Sequence, residues 1–166
     1  MTTLLCGLVV AIGCAPAPAE GEAGRAARVE QLFAEVCSRY PEVPTIDRPT
    51  LISLGDRVLL VDVRPIEERS ISTIPGAVTE SEFDQIPLSE DLVVVAYCTV
   101  GERSARFARE QRSRGVEVRN LAGGLLGWAH EGGEFVTADG ESARRAHVYG
   151  RRWDLLPEGF EGVTRN

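Results

Sequence analysis

Two stretches of the chain, Arg57 to Val63 (RVLLVDV) and Leu92 to Cys98 (LVVVAYC), are unbroken runs of apolar and β-branched residues with no polar alternation. A strand with one wet face alternates, whereas a strand covered on both faces does not. These runs therefore predict interior strands of a parallel sheet. A third candidate strand, VEVRNL (Val116 to Leu121), follows a polar, arginine-rich segment that Gly115 ends, and GGLLGWAHEGG then reads as a short helix between glycines. Upstream, Val29, Leu32, Phe33, Val36, Cys37 and Tyr40 recur at the spacing of an amphipathic helix, which Pro41 and Pro44 stop. Strands alternating with helices predict a layered α/β fold, a mostly parallel central sheet covered by helices on both faces. No internal repeat interrupts the pattern.

The ends of the chain differ from its middle. Leu4 to Ile12 is an apolar stretch too short for a bilayer span, for which about 20 residues are needed. It has the length of a signal-peptide core, and AIGC followed by a Pro/Ala/Gly/Glu linker resembles a bacterial lipoprotein signal in which Cys14 becomes the lipidated first residue. The start MTT supplies no basic side chain. The expectation is an exported protein facing the periplasm or cell exterior, with Cys14 as its only membrane attachment; a greasy N-terminus on a cytoplasmic protein is the alternative. The predicted organisation is a signal and linker over residues 1–26, a preceding helix over 27–44, a domain over 45–135, and an extension over 136–166 that packs back on it.

Composition narrows the chemistry. The net charge is −7 at pH 7 and 26% of the 166 residues are charged, which argues against a nucleic-acid partner. All 18 basic residues are arginine, which excludes mechanisms built on a lysine Schiff base or a Walker lysine. Cys6, Cys14, Cys37 and Cys98 form no pair at metal-ligand spacing with one another or with His130 and His147, so no metal or cofactor is implied. Cys37, on the helical stripe, reads as a small buried hydrophobe, with a resolving thiol as the alternative.

Cys98 stands apart because it ends a buried strand just before a glycine-bearing loop and a helix expected to begin near Ser104. A thiol becomes nucleophilic as the thiolate, and a helix N-terminus or a nearby cation lowers its pKa. The amides of TVGER together with the helix dipole would form an anion cradle there. Neither histidine shows the flanking pattern of a base paired with a cysteine, so the loop itself is the better candidate for activating the sulfur.

Three segments, VLLVDVRPIEERSISTIPGA, VVVAYCTVGERSA and NLAGGLLGWAHEGG, in this order and spacing resemble the signatures of the rhodanese, or sulfurtransferase, domain over about residues 45–134. The resemblance implies a single rhodanese-like domain in which Cys98 takes a sulfane sulfur from a small donor, holds it as a persulfide and passes it to a thiol or other thiophilic acceptor. It assigns the active loop to Thr99, Val100, Gly101, Glu102 and Arg103. It assigns supporting roles to Asp62, which ties down local backbone, to Arg64, which approaches the loop, and to the acidic Glu68. From the residues alone, the alternative reading of Asp62 and Arg64 is a surface ion pair at a strand end. Other readings are a catalytically idle module that binds or senses redox state, and phosphatase or arsenate-reductase chemistry. The last needs one more residue between cysteine and arginine than the four between Cys98 and Arg103, and that position is Ser104, which cannot supply a guanidinium fork. Two departures stand out: Ser72 and Thr73 replace the Gly-His that often precedes IPGA, and Glu102 puts a carboxylate beside the cradle.

Overall fold

The computed structural model describes residues 21–164; Cys14 and the rest of the expected signal lie outside them. Five parallel strands form the central sheet: β1 (Thr45–Ile46), β2 (Val58–Asp62), β3 (Val78–Thr79), β4 (Val93–Tyr97) and β5 (Val118–Leu121). Their order is β1-β5-β4-β2-β3, which puts the two continuous apolar runs side by side at the centre. Six helices connect or cover them: α1 (Glu22–Arg39), α2 (Arg48–Leu54), α3 (Ile66–Arg69), α4 (Glu80–Phe83), α5 (Glu102–Ser113) and α6 (Gly124–His130).

The period of two along β4 splits the core between the faces of the sheet. Val95 and Tyr97 pack with Val29 of α1, Leu51 of α2 and Leu125 and Leu126 of α6. Val94, Ala96 and Cys98 pack with Phe83 of α4 and Phe107 and Ala108 of α5. Phe83 and Phe107 meet edge to face, their ring centroids 5.6 Å apart. Both faces are thus covered, as non-alternating strands require.

Three element boundaries differ from the sequence-based expectation. Helix α1 begins at Glu22, ahead of its apolar stripe, because small and charged residues propagate a helix without facing the core. Helix α5 begins at Glu102 and not near Ser104: Gly101, at φ 113°, turns the chain directly into the first helical turn. Strand β5 starts only at Val118, since the Val116 amide donates to the carbonyl of Gln111 and stays with the end of α5.

After α6 the chain forms two small ribbons. Strand β6 (Phe135–Val136) pairs antiparallel with β7 (Ser142–Ala143), and β8 (Arg145–His147) pairs parallel with β9 (Glu161–Val163). Phe135 and Phe160 stack edge to face at 5.3 Å, and the Ser72 hydroxyl donates to the carbonyl of Arg145 at 2.6 Å. These contacts carry the tail back over the start of the domain, so that His147 and Tyr149 reach the carboxyl edge of the sheet.

Candidate active site

Strand β4 delivers Cys98 to the carboxyl end of the sheet, where ligands of parallel α/β folds bind. The residue is 1% exposed. Its Sγ accepts a hydrogen bond from the Gly101 amide at 3.2 Å and lies 3.6 Å from the Ser104 hydroxyl. Burial pushes the thiol up, but the Arg103 guanidinium, the backbone and hydroxyl of Ser104 and the Gly101 amide outweigh it and hold Cys98 below the ordinary thiol value of 9.0. The cradle is the first turn of α5 itself, with only Thr99 to Gly101 as loop.

The loop is fixed from three sides. From β5, Asn120 donates through Nδ2 to the Gly101 carbonyl at 3.0 Å and accepts from the Ser104 hydroxyl at 2.7 Å. From α6, the amides of Leu125 and Leu126 donate to the carbonyls of Cys98 and Thr99 at 2.8 and 3.1 Å. That approach requires glycine at 124, where φ is 57° and a Cβ would stand 2.5 Å from the Cys98 carbonyl oxygen. From α1, Phe33 lies where a Cβ on Gly101 would come within 2.8 Å of its ring.

Arg103 and Glu68 are brought together: the guanidinium donates to both carboxylate oxygens at 2.7 and 2.8 Å and to the Thr99 hydroxyl at 3.1 Å. This bidentate pair aims the cation at the loop. The carboxylate and the sulfur hold the Arg103 proton more firmly than usual despite the burial that opposes it. The tail adds His147, buried with Nδ1 4.0 Å from Glu68, and Tyr149, whose ring lies 5.5 Å from the Arg103 guanidinium.

Asp62 and Arg64 are a buried pair, not a surface one, at 2% and 3% exposure. Arg64 donates to both oxygens of Asp62 at 2.8 and 2.6 Å and to the Ser72 carbonyl at 2.7 Å, so it braces the segment after α3 instead of approaching the Cys98 loop. Asp62 accepts from the Arg64 amide at 3.1 Å, from the Thr73 hydroxyl at 3.0 Å and from the Tyr97 hydroxyl at 2.6 Å. Thr73 thereby fills, with a hydroxyl, the place where the resemblance expects histidine. Burial, with Asp62 alongside, pushes the Tyr97 phenol far up, so it stays a neutral donor.

Glu102, in the wall of the cleft over Cys98, is held by the end of α1. It accepts from the Tyr40 hydroxyl at 3.0 Å and pairs with Arg39 at 2.7 Å, tying the end of α1 to the start of α5. Its charge is thus largely met by α1. Cys37 and Cys98 are both free thiols; burial pushes Cys37 up, and it does not line the cleft over Cys98. Among the described residues no group of carboxylates, histidines and cysteines could hold a metal ion.

The family model for the rhodanese-like domain matches residues 50–131. A tRNA sulfurtransferase of Desulfurococcus amylolyticus is 42% identical over 98 residues, which span 58% of this chain and 20% of that one. A thiosulfate:glutathione sulfurtransferase of Homo sapiens is 33% identical over 106 residues, spanning 51% of this chain and 92% of that one. The chain belongs to the rhodanese-like family. A thiosulfate sulfurtransferase from Pseudomonas aeruginosa shares the fold at a TM-score of 0.51 and 20% identity, over 81% of this chain and 26% of its own.

Proposed function

We propose that this protein is a sulfurtransferase in which Cys98 carries the sulfur as a persulfide. The observation that carries this reading is the position of Sγ. It is buried at the first turn of α5, hydrogen-bonded by the Gly101 amide and held below its ordinary pKa with Arg103 alongside. With thiosulfate as donor, the Cys98 thiolate attacks the sulfane sulfur, an Sγ–S bond forms, the donor's S–S bond breaks, and its electron pair leaves with sulfite. The charge that was on Sγ then sits on the outer sulfur, where the free amides of the turn receive it. In the second half a thiophilic acceptor removes the outer sulfur and the electron pair of the Sγ–S bond returns to Cys98. Mass spectrometry after incubation with thiosulfate or polysulfide tests the reading: the peptide holding Cys98 gains one sulfur atom, and the Cys98→Ser chain gains none. An unchanged mass with both donors refutes it. The N-terminal segment supports export with lipid attachment at Cys14 as part of the same proposal.

A further inference from the structure

Arg103, the cation beside Cys98, is held by more than its hydrogen bonds to Glu68 and Thr99. Its guanidinium carbon stands over the face of the Tyr149 ring, 5.5 Å from the centroid and within cation–π range. Tyr149 belongs to the tail, outside residues 50–131 that the family model matches, and it lines the cleft over Cys98. The backbone beneath this ring is strained. Tyr149 has φ 67°, and across it the Gly150 amide donates to the Val148 carbonyl at 2.8 Å, a γ-turn of the positive-φ form that residues with a Cβ rarely adopt. Everywhere else among the described residues a positive φ falls on glycine. Burial does not explain the tyrosine, which is 60% exposed. The turn is fixed from outside. The Val148 amide donates to the Val163 carbonyl of β9 at 2.9 Å, the Trp153 amide to the Gly150 carbonyl at 2.8 Å, and the Tyr149 amide to Nδ1 of His147 at 3.1 Å. That same Nδ1 lies 4.0 Å from the Glu68 oxygen to which Arg103 donates at 2.8 Å, so the tail meets both members of the Glu68–Arg103 pair. Strain of this kind persists only where the surroundings over-determine it, and it gathers at functional sites.

Resting on the sulfurtransferase reading, we infer that Tyr149 is a positioning residue for the sulfur transfer: its ring, placed by the strained turn, holds the Arg103 guanidinium toward Cys98. In loading, Arg103 acts on Sγ as the attacking thiolate; in discharge it acts on the same atom as the leaving group. A cation kept in one place therefore serves both halves of the reaction. Without the ring, the guanidinium keeps Glu68 but is free to tilt into the open cleft, where water screens its charge from the sulfur. A glycine at 149 would take the turn without strain, so the position keeps its tyrosine for the side chain.

The test alkylates Cys98 of the full chain with iodoacetamide, a neutral reagent, across a range of pH and follows the peptide that carries it by mass spectrometry. Tyr149→Phe keeps the ring and should keep the wild-type midpoint. Tyr149→Leu and Tyr149→Gly should raise the midpoint and slow alkylation at neutral pH about two- to five-fold, the factor an exposed cation–π contact is worth. Loading with sulfur from thiosulfate should slow by the same factor. The charges on Arg103 and Glu68, and those of Arg39, Glu102 and Arg152 around the cleft, are present in every variant, so a moved midpoint reports where Arg103 stands. Tyr149→Gly also relieves the turn, so its Tm should hold or rise while the sulfur becomes less reactive. Three results overturn the inference while leaving wild-type loading intact: a midpoint and loading rate unmoved in the leucine and glycine variants, a shift in Tyr149→Phe as large as that in Tyr149→Leu, or a Tyr149→Gly chain whose Tm falls along with its reactivity. Failure of the wild-type chain to load from thiosulfate or polysulfide overturns both readings.

Discussion

Replacing Arg103 by alanine tests what lowers the pKa of the Cys98 thiol. In the native site burial alone would hold Cys98 as the thiol, and Arg103 is the strongest of the influences that reverse it. A hydrogen bond or close contact to a charged group contributes about 1.5–3 kcal/mol. At about 1.4 kcal/mol per factor of ten, its loss should slow thiolate reactions at neutral pH roughly ten- to a hundred-fold. The substitution also strands Glu68, a carboxylate whose side chain is 4% exposed, with its two hydrogen bonds to Arg103 gone. That negative charge disfavours a second one on the sulfur. Arg103→Ala/Glu68→Gln should therefore react faster than Arg103→Ala alone. The assay is the pH dependence of Cys98 alkylation by a small reagent, followed on the peptide that carries it by mass spectrometry. The midpoint should move up in the single variant and part of the way back in the double. A midpoint that stays put or falls in Arg103→Ala refutes the assignment of the cation.

Other outcomes follow from the same contacts. Gly124→Ala should lower both Tm and sulfur loading, because its Cβ meets the Cys98 carbonyl at 2.5 Å and displaces α6 from the loop; at roughly 2–4 °C per kcal/mol for a chain of this size, a scanning calorimeter resolves the change. Since the folded thiol ionises below 9.0 and the unfolded one near it, the unfolded chain binds more protons between those two values. Wild type should gain stability over Cys98→Ser as pH rises through that window and lose the advantage as pH falls through the folded midpoint, as measured by urea unfolding. For export, mature protein from a bacterial host should begin at an acylated Cys14; finding residues 1–13 attached and Cys14 unmodified refutes that route.

The central strands and the place of Cys98 at the carboxyl edge of the sheet were legible because their signals are local. Continuous apolar runs mark β2 and β4, and a cysteine at a strand end before a glycine marks the loop. The partners of that loop were not legible, because each comes from a distant part of the chain. Glu68 reaches Arg103 across 35 residues and Tyr40 reaches Glu102 across 62. No periodicity encodes such pairings; they arise when the sheet order brings the elements together. Glu102 looked like an obstacle to anions in sequence, yet its carboxylate serves as the anchor of α1. Gly124 read only as one of the glycines bounding a short helix, while its need for glycine comes from the carbonyl it passes.

The strand order also decides when the turn around Cys98 is locked. The sheet is entirely parallel, and β1 near the start of the domain pairs with β5 near its end, Thr45 lying opposite Asn120. Such non-local closures form late and slowly. On a ribosome, a chain that has emerged only through α5 has Cys98, Gly101 and Ser104 but not Asn120, so the hydrogen bonds with β5 that fix the turn around the sulfur are missing. The last strand to join the sheet is thus the one whose Asn120 locks the turn that holds Cys98.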